Sequence, residues 1–370
     1  MSQEIEPERQ VAVAAESLSK KRRDFKLLLE SFVKTIVKEG GNVKFFKDEN
    51  KIETSRIRRA NIPLTIEAFK KEVLDVLQVP EDMYTFEIGS AGKKDTSGDL
   101  DCAFDYGKVA ALKGTTEEEV KEEFKSLLKS KDVLFALNSN LINICYPISG
   151  DQDGEFVQID IIPTHNIKFT KYRMYSPSPE ESKYKSKFRL ILLQKIVKVL
   201  TEREASDNNG ETFTTRSGRV SPVTFSHTSM NNDGIWDVTK TWKGKRVAFL
   251  KDPKKLKERS VYLHDDPQKL LDELFGPGAF TVADTNSFES IWNNILFSDK
   301  ISPENRDRII KGYYFGLMKE RLDFIKRHPE KDEDYLEAEF PIPEEVVSWL
   351  QKNAPEVFAV PEEEIEDEDD

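Results

Sequence analysis

The sequence predicts an α+β protein: a small mixed sheet flanked by helices, followed by a mainly helical C-terminal domain. Three observations predict it. Five short apolar runs, at 84–88, 99–106, 133–137, 141–148 and 156–162, have the length and composition of strands. Amphipathic segments at helical spacing stand before and among them. From 267 onward the pattern turns helical, over 267–275, 287–297, 303–328 and 343–353.

In chain order, residues 1–20 are polar and read as a flexible N-terminus. Lys21 to Lys38 carries Phe25, Leu28, Leu29, Phe32, Val33 and Ile36 at helical spacing, and Gly40-Gly41 ends it. A second helix over 66–77 places Phe69, Val73 and Val76 on one side. Tyr84 to Ile88 and Asp99 to Tyr106 are strands on either side of a Gly-Ser turn. Thr116-Glu-Glu-Glu119 is a capping box, so a helix runs from it to about Lys129. Three strands follow, and Pro163 closes the last. Ser178-Pro179-Glu180-Glu181 predicts the start of a long helix with Phe188, Leu192, Ile196 and Leu200 as its apolar stripe. Lys183, Lys187, Lys195 and Lys198 make much of its other surface basic. Residues 204–260 begin rich in Ser, Thr, Asn and Gly and predict a loop-rich excursion with at most short strands. Asp266 is the expected N-cap of the next helix, with Pro267 in its first turn. The expected division is thus 21–175 and 176–355, with a disordered acidic tail over 356–370.

Composition narrows the function. The 370 residues hold 56 Lys plus Arg and 68 Asp plus Glu, a net charge of −12. That balance disfavours a dedicated duplex binder, whose affinity rests on neutralising phosphates. Cys102 and Cys145 lie in apolar strand-like runs, so buried free thiols are expected. No signal peptide and no apolar stretch of membrane-spanning length is visible, so the expected setting is cytoplasmic, with no membrane partner. The four histidines show no metal-ligand spacing, and no Gly-rich Lys-Ser/Thr phosphate loop occurs.

The chemistry concentrates in three fragments: Ile88-Gly89-Ser90, Asp99-Leu100-Asp101-Cys102, and Asp160 within Val157-Gln158-Ile159-Asp160-Ile161-Ile162. Strand alternation projects Asp99 and Asp101 to one face while Leu100 and Cys102 point inward. A carboxylate inside an apolar run needs a partner, because an unpaired buried charge is costly. Three such carboxylates can hold two hard divalent cations. For Asp160 two blander roles stand beside this one, a salt bridge to a Lys or Arg and a solvent-facing position beside Gln158. Gly89-Ser90 equally suits an ordinary tight turn, and Lys93 and Lys94 equally suit exposed loop lysines.

In order and spacing these fragments resemble the DNA polymerase beta-like nucleotidyltransferase superfamily, over roughly 60–165 and part of the helix beyond. The resemblance implies that Asp99 and Asp101 ligate two Mg²⁺ ions, or Mn²⁺, and that Asp160 ligates the one nearer an attacking hydroxyl. It implies that Gly89 and Ser90 meet the phosphates of a nucleoside triphosphate such as ATP, assisted by Lys93 and Lys94. Lys187 and Arg189, on the helix after the third Asp, are the candidates to meet the triphosphate. The implied activity is nucleotidyl transfer to an acceptor hydroxyl with pyrophosphate release. The acceptor stays open: an RNA or tRNA end, a nucleotide, a small molecule or a protein. The basic stretch Lys243 to Arg259, with Trp242 and Phe249, suits either a single-stranded RNA acceptor or a solvated face. The alternative class is a noncatalytic nucleotide- or RNA-binding scaffold. Oligomeric state is not encoded in any of these patterns.

Overall fold

Local signals account for most elements of the computed structural model, which describes residues 43–47, 50–138, 141–205, 210, 212–214, 220–243, 246–248, 260–327, 329, 336–337 and 340–359. The helix expected over 21–38, the flexible N-terminus, most of the 243–260 basic stretch and the 362–370 acidic run lie outside the described residues.

Pro63 sits in the first turn of helix α1 (Ile62–Phe69), which continues as a wider π-turn over Lys70–Leu74. That wider turn rotates the apolar face. Phe69 and Val73 are buried as expected, but Leu77 takes the next inward position and Val76 is 53% exposed. Strand β1 (Tyr84–Thr85) is shorter than expected. Strand β2 (Asp99–Phe104) stops early because Asp105 caps a helix absent from the sequence-based expectation, α2 (Tyr106–Lys113), accepting from Lys108 N–H at 2.9 Å. Helix α3 (Glu117–Ser130) opens on the expected reciprocal cap: Glu119 N–H donates to Thr116 Oγ1, and Thr116 N–H donates to Glu119 Oε2.

Strands β3 (Leu134–Asn138), β4 (Leu141–Pro147) and β5 (Phe156–Pro163) follow, then α4 (Ile167–Arg173) and α5 (Ser186–Thr201). The start expected for α5 is corrected. Glu181 does accept from Ser178 N–H at 2.6 Å, but this closes only a turn. Ser182 Oγ then accepts from Tyr184 N–H and donates to Glu289, which holds the chain out of helix until Ser186. The longer elements that follow are β6 (Thr224–Asn231), β7 (Gly234–Lys243), β8 (Ser260–His264), α6 (Pro267–Phe275), α7 (Phe288–Leu296, mostly π-helical), α8 (Pro303–Arg327) and α9 (Glu344–Asn353). Asp266 caps α6 as expected, accepting from Gln268 and Lys269 N–H. Among the described residues no helix is long and apolar enough to cross a membrane.

Two compact units divide this chain, and the division is not linear: Met1–Gln78, Asp95–Asp101 and Glu122–Ile161 form the first, and Val79–Lys94, Cys102–Lys121 and Ile162–Asp370 the second. In the first unit the strand order is β2-β5-β4-β3, and β3, β4 and β5 pair antiparallel with Ile144 opposite Ile159. Its core is built from Phe69, Leu74, Phe124, Leu128, Ile144 and Ile159, all fully buried. Phe69 meets Tyr146 edge-on at 5.2 Å, and the Tyr146 hydroxyl donates to Glu72.

In the second unit, β1 pairs antiparallel with the end of β2, and Thr164 N–H donates to Phe104 O at the C-terminal ends of β5 and β2, which makes those strands parallel. The expectation of a loop-rich excursion with at most short strands is corrected here. Strands β6 and β7 form an eight-pair antiparallel ladder within a five-stranded sheet that includes β8. Helix α5 packs against both β6 and α8, and Leu192, Ile196, Met230, Ile235, Ile309 and Tyr313 share one core. Strand β6 escaped hydropathy because most of its buried side chains, Thr224, Ser226, His227 and Thr228, are polar. Ser226 Oγ bonds Thr239 Oγ1 at 2.8 Å across the pair, and Thr201 Oγ1, on α5, accepts from Thr228 N–H.

The β6–β7 turn sets a tight test. Gly234 has φ +148°, and a Cβ there would lie 2.8 Å from a Tyr262 ring carbon and 2.9 Å from His264 O. Gly234→Ala is expected to destabilise the protein by about 1–3 kcal/mol through this overpacking. Urea denaturation followed by tryptophan fluorescence measures it; an unchanged midpoint would contradict the packing of β8 on this turn.

Candidate carboxylate site

Alternation along β2 buries Leu100 (1% exposed) and leaves the flanking Asp99 and Asp101 half-buried on the other face. Asp160, on β5, stands directly opposite Asn143 of β4 in the antiparallel register. The Asn143 amide donates to Asp160 Oδ1 at 2.6 Å, and the Gln158 amide donates to Oδ1 at 2.8 Å and Oδ2 at 3.0 Å. Gln158 is itself oriented by Val43, whose N–H donates to Gln158 Oε1. The Asp160 partners are therefore two nearly buried amides. Neither amide was assigned from the sequence. The available signals were a lone Asn in the apolar 141–148 run and a Gln two positions before Asp160.

The charges of Asp99 and Asp160 both act on Asp101. Burial, then the Asp99 charge, then the Asp160 charge push the Asp101 carboxyl up to about 8. Burial also raises Asp160, against the two amide donors that favour its charged form. Hard, mutually repelling carboxylates are the donor chemistry that a divalent cation neutralises. The residues thus fit such a cation by type. Among the described residues, however, no group of three or more His, Cys, Asp or Glu is arranged to hold a metal ion.

The sequence-nominated phosphate ligands fall in the second unit. Gly89 has φ +67°, a left-handed conformation that glycine adopts without strain, and its N–H donates to Met174 O at 3.1 Å. That N–H is therefore committed to the backbone, and Ser90 beside it is exposed. Lys94 is exposed, while the Lys93 ammonium lies 5.5 Å from the Tyr175 ring centroid. The Lys187 ammonium lies 3.5 Å from the Phe340 ring centroid, packed on an aromatic face.

Arg189 is corrected. It is 0% exposed, and its guanidinium donates to the carbonyl oxygens of Thr285, Arg173 and Tyr172. A side chain so enclosed joins α5 to the chain segments around Tyr172 and Thr285 and does not reach out to a phosphate. The helical stripe from Phe188 to Ile196 could not reveal this, because those carbonyls come from distant sequence.

Two outcomes are expected. Arg189→Met leaves buried carbonyls without donors and should cost at least about 3 kcal/mol in chemical denaturation; a variant as stable as the parent would contradict the clamp. The second concerns pH, with metal removed by chelator. Folded Asp101 holds its proton to about pH 8, whereas the unfolded chain releases it near pH 3.9. Folding therefore takes up a proton between those limits, and stability falls as pH rises from about 4 to about 8. Asp101→Asn should remove that slope and melt higher than the parent above pH 8, by several degrees. Each kcal/mol corresponds to about 2–4 °C in a domain of this size. Parallel melting-temperature profiles would contradict the cluster.

No family model, no curated protein and no solved structure matches this chain.

Proposed function

We propose that the chain is a metal-dependent nucleotidyltransferase, moving a nucleotidyl group from a nucleoside triphosphate to an acceptor hydroxyl with release of pyrophosphate. The observation that carries this reading is the coupling of Asp101 to both Asp99 and Asp160 at a half-buried polar face, in a chain whose Gly89-Ser90 and Asp-Leu-Asp fragments resemble that superfamily. In this reading Asp99, Asp101 and Asp160 hold divalent cations, Mg²⁺ in the first instance. Such ions supply charge neutralisation for the phosphates and an acidified acceptor hydroxyl. The amides of Asn143 and Gln158 orient Asp160. Arg189 is not part of the proposal, because it is enclosed by backbone carbonyls. The acceptor class is left to experiment, with a single-stranded RNA or tRNA end among the candidates.

A second reading draws on one observation. The Asp160 carboxylate is already satisfied by two amides, an arrangement that a noncatalytic nucleotide-binding scaffold could also keep.

The purified chain incubated with each labelled triphosphate, Mg²⁺ or Mn²⁺ and a mixture of tRNA, oligonucleotides, nucleotides and protein should release pyrophosphate and label one acceptor. Asp101→Asn should lower that turnover at least about a hundredfold while keeping the fold, because the ion that positions and neutralises the reactants is lost. Nucleotide binding that Mg²⁺ does not tighten, with no transfer to any acceptor, would favour the scaffold.

A further inference from the structure

Between α5, the β6–β7 ladder and α8, all within the second unit, lies a cavity of about 370 Å³. This is the low end of the range for small-molecule sites. Its lining carries four ammonium groups, Lys195 and Lys198 from α5, Lys240 from β7 and Lys319 from α8. Glu320 and Asp323 are the acids of the lining, so its net charge is +2 with His227 neutral. No residue of the carboxylate site belongs to it.

Two features mark the cavity as built. The first is His227, on β6, which is 4% exposed and whose Nδ1 has no hydrogen-bond partner. A buried polar atom without a partner is costly and uncommon in a native fold. Burial, then the charges of Lys198, Lys240, Lys195 and Arg203, push the imidazole down to about 3, so it is uncharged at neutral pH and one ring nitrogen carries a proton. Further positive charge is disfavoured there, and an anion is favoured. The second feature is Gly312 of α8. A Cβ at that position would lie 3.0 Å from Lys195 Cδ, so the glycine makes room for the lysine stem along the helix.

We infer that this cavity is a binding site for a small phosphate-bearing dianion, held by Lys195, Lys198, Lys240 and Lys319 beside the uncharged His227. A phosphate group places close to two negative charges and three acceptor oxygens on one centre. That matches the net charge of the lining and its several donors. Inorganic phosphate and the phosphate of a small organic ester share this chemistry. The inference does not rest on the nucleotidyltransferase reading.

The test is calorimetric titration of the full chain, metal-free and at fixed ionic strength, with inorganic phosphate in one arm and glycerol 3-phosphate in the other. Chloride serves as the control. Saturable binding at one site per chain in either arm is expected, and the arm that binds tighter identifies the source. Lys198→Ala with Lys240→Ala should weaken it at least about tenfold, given the strength of hydrogen bonds to charged groups. The fold of the lysine-pair variant is checked by circular dichroism. No saturable binding in either arm, or binding that the lysine pair leaves unchanged, would overturn the assignment.

Discussion

The two-residue period of β2 ties the core to the chemistry. Leu100 and Cys102 must be buried, so Asp99 and Asp101 must share the opposite face. A slip of one residue would exchange the two sets, exposing Leu100 and Cys102 and driving both carboxylates into apolar surroundings. The register of that strand is thus held by the cost of burying charge as much as by the gain of burying carbon. Everything proposed for the carboxylate site depends on it.

Asp160 meets the same constraint by a different route. Its neighbours Ile159 and Ile161 are fully buried, and its oxygens accept from the amides of Asn143 and Gln158. Neutral amide donors favour the charged carboxylate without cancelling its charge. Burial first, and then repulsion from Asp99 and Asp160, displaces the Asp101 carboxyl upward. A satisfied hydrogen-bond inventory and an unsatisfied charge balance coexist at one site.

The second unit handles buried polarity in the opposite sense. Arg189 brings a positive charge into the interior, where backbone carbonyls receive its guanidinium. Strand β6 buries hydroxyls that pair across to β7. In both cases the polar group is matched, as a low-dielectric interior demands. His227 is the contrast: it is equally buried, but its Nδ1 lacks a partner within a lysine-rich cavity.

Much of this was legible in the sequence because the signals are local. The alternation of Asp-Leu-Asp, the Thr116–Glu119 cap and the Asp266-Pro267 start each depend on neighbours a few residues away, and α6 matches its expected bounds over Pro267–Phe275. The two cysteines are also the buried free thiols that their apolar setting implied. What escaped depends on partners remote in the chain. Hydropathy took β6 for loop because it cannot see that Thr239 waits opposite Ser226. The basic stripe of α5 did not disclose that Arg189 is drawn inward by the carbonyls of Tyr172 and Thr285. Nor could spacing show that Asn143 would stand across from Asp160. The sequence by itself determined which residues carry charge and which faces they share. Only tertiary structure decided which charges meet, because the cost of a buried polar group depends on the partner that folding brings to it.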